Sequence, residues 1–174
     1  MRELDFTRAE YDTAMESNDE AALAKLSHHP SRYIRARVAG NPHTARSIRD
    51  ALRINTEKHS SILSWILGNP ACTREEFECI YKNYSGRSYD GNVHLALASS
   101  HHATLSELSE LLRQNHWCIT MAVLNNYKGR TLEDFQKLIK RFLPNEDTPW
   151  EKWREEEKLA YFRTTGRRHP QSQD

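Results

Sequence analysis

Two adjacent histidine pairs, His28-His29 and His101-His102, are the residues whose types first suggest chemistry, as metal ligands. Consecutive side chains diverge on a helix or a strand, and no acid or cysteine stands at ligand spacing beside either pair. No metal site is expected. Cys72 and Cys79 are seven residues apart and Cys118 is remote from both. Three cysteines so placed match neither a zinc pattern nor a disulfide framework, and they fit a reducing, cytoplasmic setting. Cys79 falls in an apolar-periodic segment with no basic cluster to lower its pKa, so it reads as a packed thiol rather than a nucleophile. No Ser/His/Asp grouping can be placed together, and six glycines include no phosphate-cradling loop. With no catalytic set and no cofactor motif, a non-enzymatic protein is expected.

The composition is wet for a compact globule: 37% hydrophobic residues over 174 positions, with a mean hydropathy of −0.84. A thin helical array, with its high ratio of surface to volume, tolerates that balance. No apolar run approaches the ~18 residues that cross a bilayer, and MRELDFTRAEYD has no apolar segment of the secretory kind. The net charge of +1 points to no polyanion by itself, but the charge is patterned. Residues 1–24 hold seven acids and two bases, whereas residues 25–60 hold eight bases and two acids. The chain is a mosaic of patches.

These patches need elements to position them, and a repeat supplies the elements. VAGNPHT, from Val38, recurs as ILGNPACT, from Ile66. Gly40 and Gly68 suit the left-handed residue that ends a helix, Pro42 and Pro70 prevent its resumption, and Thr44 and Thr73 can cap the next helix. Anchoring on Thr7, Thr44, Thr73, Thr104 and Thr131 puts Tyr11, Ile48, Phe77, Leu108 and Phe135 four residues on. Eight residues on stand Met15, Leu52, Tyr81, Leu112 and Ile139. That is one helical apolar stripe written five times. Glu10, Glu76, Glu107 and Asp134 complete capping boxes, and only Ser47 breaks the pattern. A preceding helix carries Ile34/Val38, Ile62/Ile66, Val93/Leu97 and Ile119/Val123 at i,i+4 spacing. Such units cannot bury their stripes alone and must stack. In residues 1–27, a capped helix is expected first and then the Ala/Leu-rich AALAKL segment, in place of the usual first helix. The boundaries fall near 1–27, 28–54, 55–83, 84–114 and 115–143, in a single domain over 1–165. Thr148-Pro149-Trp150-Glu151 opens a capping helix over 148–162, and 166–174 is expected to be a disordered tail.

The stretch HPSRYIRARVAGNPHTARSIRDAL, residues 29–52, resembles the bacterial leucine-rich repeat variant family. The matching positions are Ile34-Arg35, Val38-Ala39, Asn41-Pro42, Thr44, Ile48 and Leu52. The likeness fades through residue 141, losing the proline in SSHHAT and NNYKGRT. It implies an all-α, right-handed α-solenoid, akin to HEAT and armadillo arrays, here of four to five helix-turn-helix repeats with a C-terminal capping helix. The iron–sulfur module of one family member needs a cysteine cluster that is absent here, so no cofactor is carried over. The family implies a fold and no reaction.

Function therefore rests on surfaces. The outward positions of the capped helices read Arg46, Arg49, Arg53; then Glu75, Glu78; then Glu107, Glu110; then Lys137, Lys140. Stacked, they give a ridge that is basic, acidic, acidic and basic, which is either a solvated face or a docking face for one structured protein. Acids in mid-ridge repel phosphate, so nucleic acid is the lesser expectation. It would use Arg32, Arg35 and Arg37, with Trp65 and Trp117 either packed in the groove wall or stacking bases, as in HEAT-like DNA glycosylases. The reading is a cytoplasmic protein-binding module, with no membrane role. A bacterial immunity or antitoxin protein that covers a toxin is its most concrete form.

Overall fold

The structure, a computed structural model, describes residues 6–55, 59–114, 116–126 and 152. All secondary structure among them is helical: α1 Arg8–Glu16, α2 Glu20–Ser27, α3 Arg32–Gly40, α4 Arg46–Asn55, α5 Ser60–Gly68, α6 Arg74–Tyr84, α7 Gly91–Ser99, α8 Leu105–Leu112 and α9 Trp117–Asn125. The chain divides into two compact units between His102 and Ala103. Helices α1–α7 belong to the first, and α8 packs on α9 in the second. Thr131, the 148–162 segment apart from Lys152, and the tail lie outside the described residues.

In the first unit α3 packs between α1 and α5, and α5 packs between α3 and α7. Helices α2 and α4 form a second row that packs against the first. The i,i+4 pairs explain the first row, since Ile34, Val38, Ile62, Ile66, Val93 and Leu97 are all fully buried. The stripe of the capped helices buries Ile48 and Leu52 on α4 and Phe77 and Ile80 on α6. At roughly 1.5–3 kcal/mol for each such side chain, this shared core is what ties neighbouring helices together.

Helix α1 departs from the expected order. Its capping box is present, with the Thr7 amide donating to Glu10 Oε2 at 2.7 Å. Yet of its stripe only Ala14 is buried, while Met15 is 40% exposed. The helix stands in the row of α3, α5 and α7, and the Ala/Leu-rich α2, with buried Leu23 and Leu26, takes the second place. A capping box marks the start of any helix and carries no information about its row.

The caps behave as expected at Thr73 and Thr104, where both halves of the box form. Thr44 does something else. Its hydroxyl donates to Val38 O at 2.6 Å, and α4 begins two residues later, at Arg46. Without an acid at Ser47 there is no reciprocal bond to hold a box.

Gly40 and Gly68 do not take the left-handed conformation; both are the last residues of their helices. The helices end at Asn41 and Asn69, which are extended, with φ −69° and ψ 126° and 127°. Each asparagine is nearly fully buried, at 2% and 1% exposure. The Asn41 side-chain oxygen accepts from His43 N and that of Asn69 from Ala71 N, both at 2.8 Å, closing the turn. The amide nitrogens reach back one repeat. Asn41 donates to Ala14 O and Ser17 O, and Asn69 to Ala39 O and Asn41 O. The phrase GNP is thus a clasp between consecutive turns, satisfying helix-end carbonyls that burial would otherwise orphan.

Candidate partner-binding surface

In the first unit the charged ridge expected on the capped helices is paired with nearby counter-charges. Arg46 lies 3.7 Å from Asp50 on its own helix and 3.8 Å from Glu75 on α6. Arg53 lies 3.4 Å from Asp50, and Arg74 Nε contacts Glu78 at 2.9 Å. These are surface pairs that contribute little to stability, but they neutralise the face. The Glu75 carboxyl sits below the usual carboxylate range, held by backbone and Thr73 hydrogen bonds first and by Arg46 in a smaller part. In the second unit Glu107 is engaged in the Thr104 capping box and Glu110 is exposed. Lys137 and Lys140 lie outside the described residues.

Arg49 is not on that face. It is 3% exposed, and its guanidinium meets Glu76 in a two-pronged pair, Nε to Oε1 at 2.8 Å and Nη2 to Oε2 at 3.0 Å. The remaining donors reach Thr44 O and Ala71 O. Glu76 is also the acid of the Thr73 capping box. Burial pushes its carboxyl up, but the Arg49 bond and the Thr73 amide pull harder, and the net position is below the usual range. Arg49 thus joins two turns and is closed to any partner.

The three-arginine patch also divides. Arg35 folds back, donating to His29 O at 2.6 Å and Pro30 O at 2.7 Å. Arg32 and Arg37 instead face a cleft of about 390 Å³ between α3 and α5, shared with Tyr33, His59, Trp65 and Asn92. Arg37 is held between two rings, 5.1 Å from the centroid of Tyr11 and 4.4 Å from that of Trp65. Trp65 in turn rests on Gly40, where an added Cβ would lie 2.4 Å from the ring. Tyr33 is 56% and Trp65 40% exposed. Arg32 lies over the Tyr33 ring at 5.2 Å and lowers its phenol pKa through a hydrogen bond first and its charge second. The side chain of Trp117 lies outside what the structure describes.

The histidine pairs serve turns. His29 accepts from Ser31 N and faces Glu10 at 3.6 Å. His102 bonds Cys72 O at 2.8 Å, and its ring lies 3.9 Å from that of His101. Among the described residues no three His, Cys, Asp or Glu side chains gather as a metal-binding set. Burial first, and the nearby Glu76 charge second, push the Cys72 thiol up to about 11, which keeps it protonated. Cys79 is exposed rather than packed. No described helix is long and apolar enough to cross a membrane.

What the pattern reading missed was legible as a spacing. Arg37 and Trp65 are one repeat apart, as are Asn41 and Asn69, so each faces its own counterpart on the neighbouring unit. No family model matches the sequence, and neither a curated protein nor a solved structure matches it.

Proposed function

We propose that the chain is a right-handed α-solenoid of four to five repeats that acts as a non-enzymatic protein-binding module. Its docking surface is the α3–α5 cleft rather than the charged ridge. One contrast carries this reading: in the first unit the ridge residues Arg46, Arg53, Glu75 and Glu78 each lie beside a counter-charge, while Tyr33 and Trp65 stay exposed beside Arg32 and Arg37. Trp, Tyr and Arg are the residues that dominate binding energy at protein interfaces. The three free cysteines suit a reducing, cytoplasmic setting. A bacterial toxin is the partner class that the repeat resemblance suggests.

The test is capture from nuclease-treated lysate by tagged full-length protein, comparing wild type with Tyr33→Ala/Trp65→Ala. A stoichiometric protein retained by the wild type and lost by the variant is expected. Retention only without nuclease would replace this reading with nucleic-acid binding. Equal retention by both proteins would move the site off the cleft.

A further inference from the structure

Resting on that reading, we propose that the α3–α5 cleft takes an acidic segment of the partner, with carboxylates on Arg32 and Arg37 and an apolar side chain on Trp65. Among the described residues, every ionisable group lining the cleft except the Tyr33 phenol is a cation or a histidine, Arg32, Arg37 and His59, and none is an acid. Elsewhere in the first unit the arginines of the capped helices have found carboxylates: Arg46 with Asp50 and Glu75, Arg49 with Glu76, Arg53 with Asp50, Arg74 with Glu78. Arg32 and Arg37 have no carboxylate partner among the described residues; their guanidinium groups lie against aromatic rings. Stacking holds a guanidinium in place; Arg32 Nη2 also makes a long hydrogen bond to the Tyr33 hydroxyl at 3.4 Å, and the remaining edge donors suit a planar carboxylate, a geometry that lysine cannot reproduce. The N-terminal turn of α5 borders the same space, and its cap residue His59 makes no capping bond, so its partial positive charge adds to the field.

The extent of the cationic surface selects a protein acid over a nucleic acid strand. A phosphate backbone needs cations continuing along its track. Here α1, adjacent to α3, carries Glu10, Asp12 and Glu16 against a single cation, Arg8, which pairs with Asp12 at 2.9 Å, and α7 on the far side carries no lysine or arginine. Two guanidinium groups flanked by acid on one side fit one or two carboxylates and would repel a longer polyanion.

A displayed library of random peptides panned on the full chain tests this, with the Arg32→Gln/Arg37→Gln variant as counter-selection and matching melting curves to show that it folds. Enriched peptides should combine Asp or Glu with a large apolar residue. Their affinity should fall roughly tenfold or more on the double variant, and replacing their acids by amides should weaken them comparably. Peptides without acid enrichment, or ones that bind the variant equally, overturn the proposal. So does a single-stranded oligonucleotide that binds more tightly than every selected peptide. If the lysate protein is still lost by Tyr33→Ala/Trp65→Ala while no acidic peptide is selected, the binding module stands and only the acidic occupant falls.

Discussion

Arg49 and Glu76, 27 residues apart, form a buried two-pronged ion pair in which the arginine bonds the turn before α4 and the turn before α6 at once. Removing either partner leaves a charge in the interior without its counter-charge. Arg49→Ala and Glu76→Ala should each lower stability by about 3–5 kcal/mol, measured by urea unfolding. The double variant Arg49→Met/Glu76→Leu should lose less than either alone. A sum of the two single losses would show that the residues do not act as a pair.

Acid should act partly through the same pair. The folded-state pKa of Glu76 lies below its ordinary value of 4.5, so its contribution is complete above that value and is lost as pH falls through the folded one. Wild-type stability should begin to drop as the pH approaches 4.5 and keep dropping below it. Glu76→Gln should start less stable at neutral pH and show a shallower acid limb in urea midpoints across pH. Limbs of equal slope would assign the acid sensitivity to other carboxylates.

Asn41 and Asn69 each close one turn and clasp the one before it. Truncating either to alanine orphans buried carbonyls and should cost about 1–3 kcal/mol. Asn69→Asp should cost more than Asn69→Ala, because it sets a carboxylate against Ala39 O and Asn41 O. Thermal melts of the three variants at neutral pH decide the order.

Gly40 and Gly68 occupy the same place in successive repeats but should respond oppositely. Gly40→Ala drives a methyl into Trp65 and should destabilise by about 1–3 kcal/mol. Gly68→Ala meets open space at a helical position and should stabilise by roughly 0.5–1 kcal/mol. Adding Trp65→Ala should abolish most of the Gly40→Ala penalty, and a double-mutant cycle measures that coupling.

How much of this was legible in the chain depended on which residue was being read. Ile34/Val38 and Ile62/Ile66 announced buried faces because helical period and burial are one pattern. Thr73 with Glu76 announced a helix start for a local reason, the reciprocal hydrogen bonds of neighbouring residues. Arg49 misled because a charged residue beside an apolar stripe is ordinarily solvated, and its partner arrives from the next repeat. Asn41 looked like a turn residue because its tertiary bonds, to Ala14 and Ser17, leave no local mark. The Thr7 capping box has the same local pattern as those that open the second helix of a unit, and only the packing of α1 against α3 assigns α1 to the other row.

The clasp between successive turns also bears on how such a chain can change length. Removing residues 42–69 would join Asn41 to Pro70 and write the same turn again, with the bonds from Asn41 to Ala14 and Ser17 untouched. Losing one residue within α5 would rotate Asn69 away from Ala39 and part Trp65 from Gly40 together. The register of the turns is therefore quantised in whole units, and loss of residues 42–69 must be matched by neutralising Glu76, because Arg49 leaves with the unit.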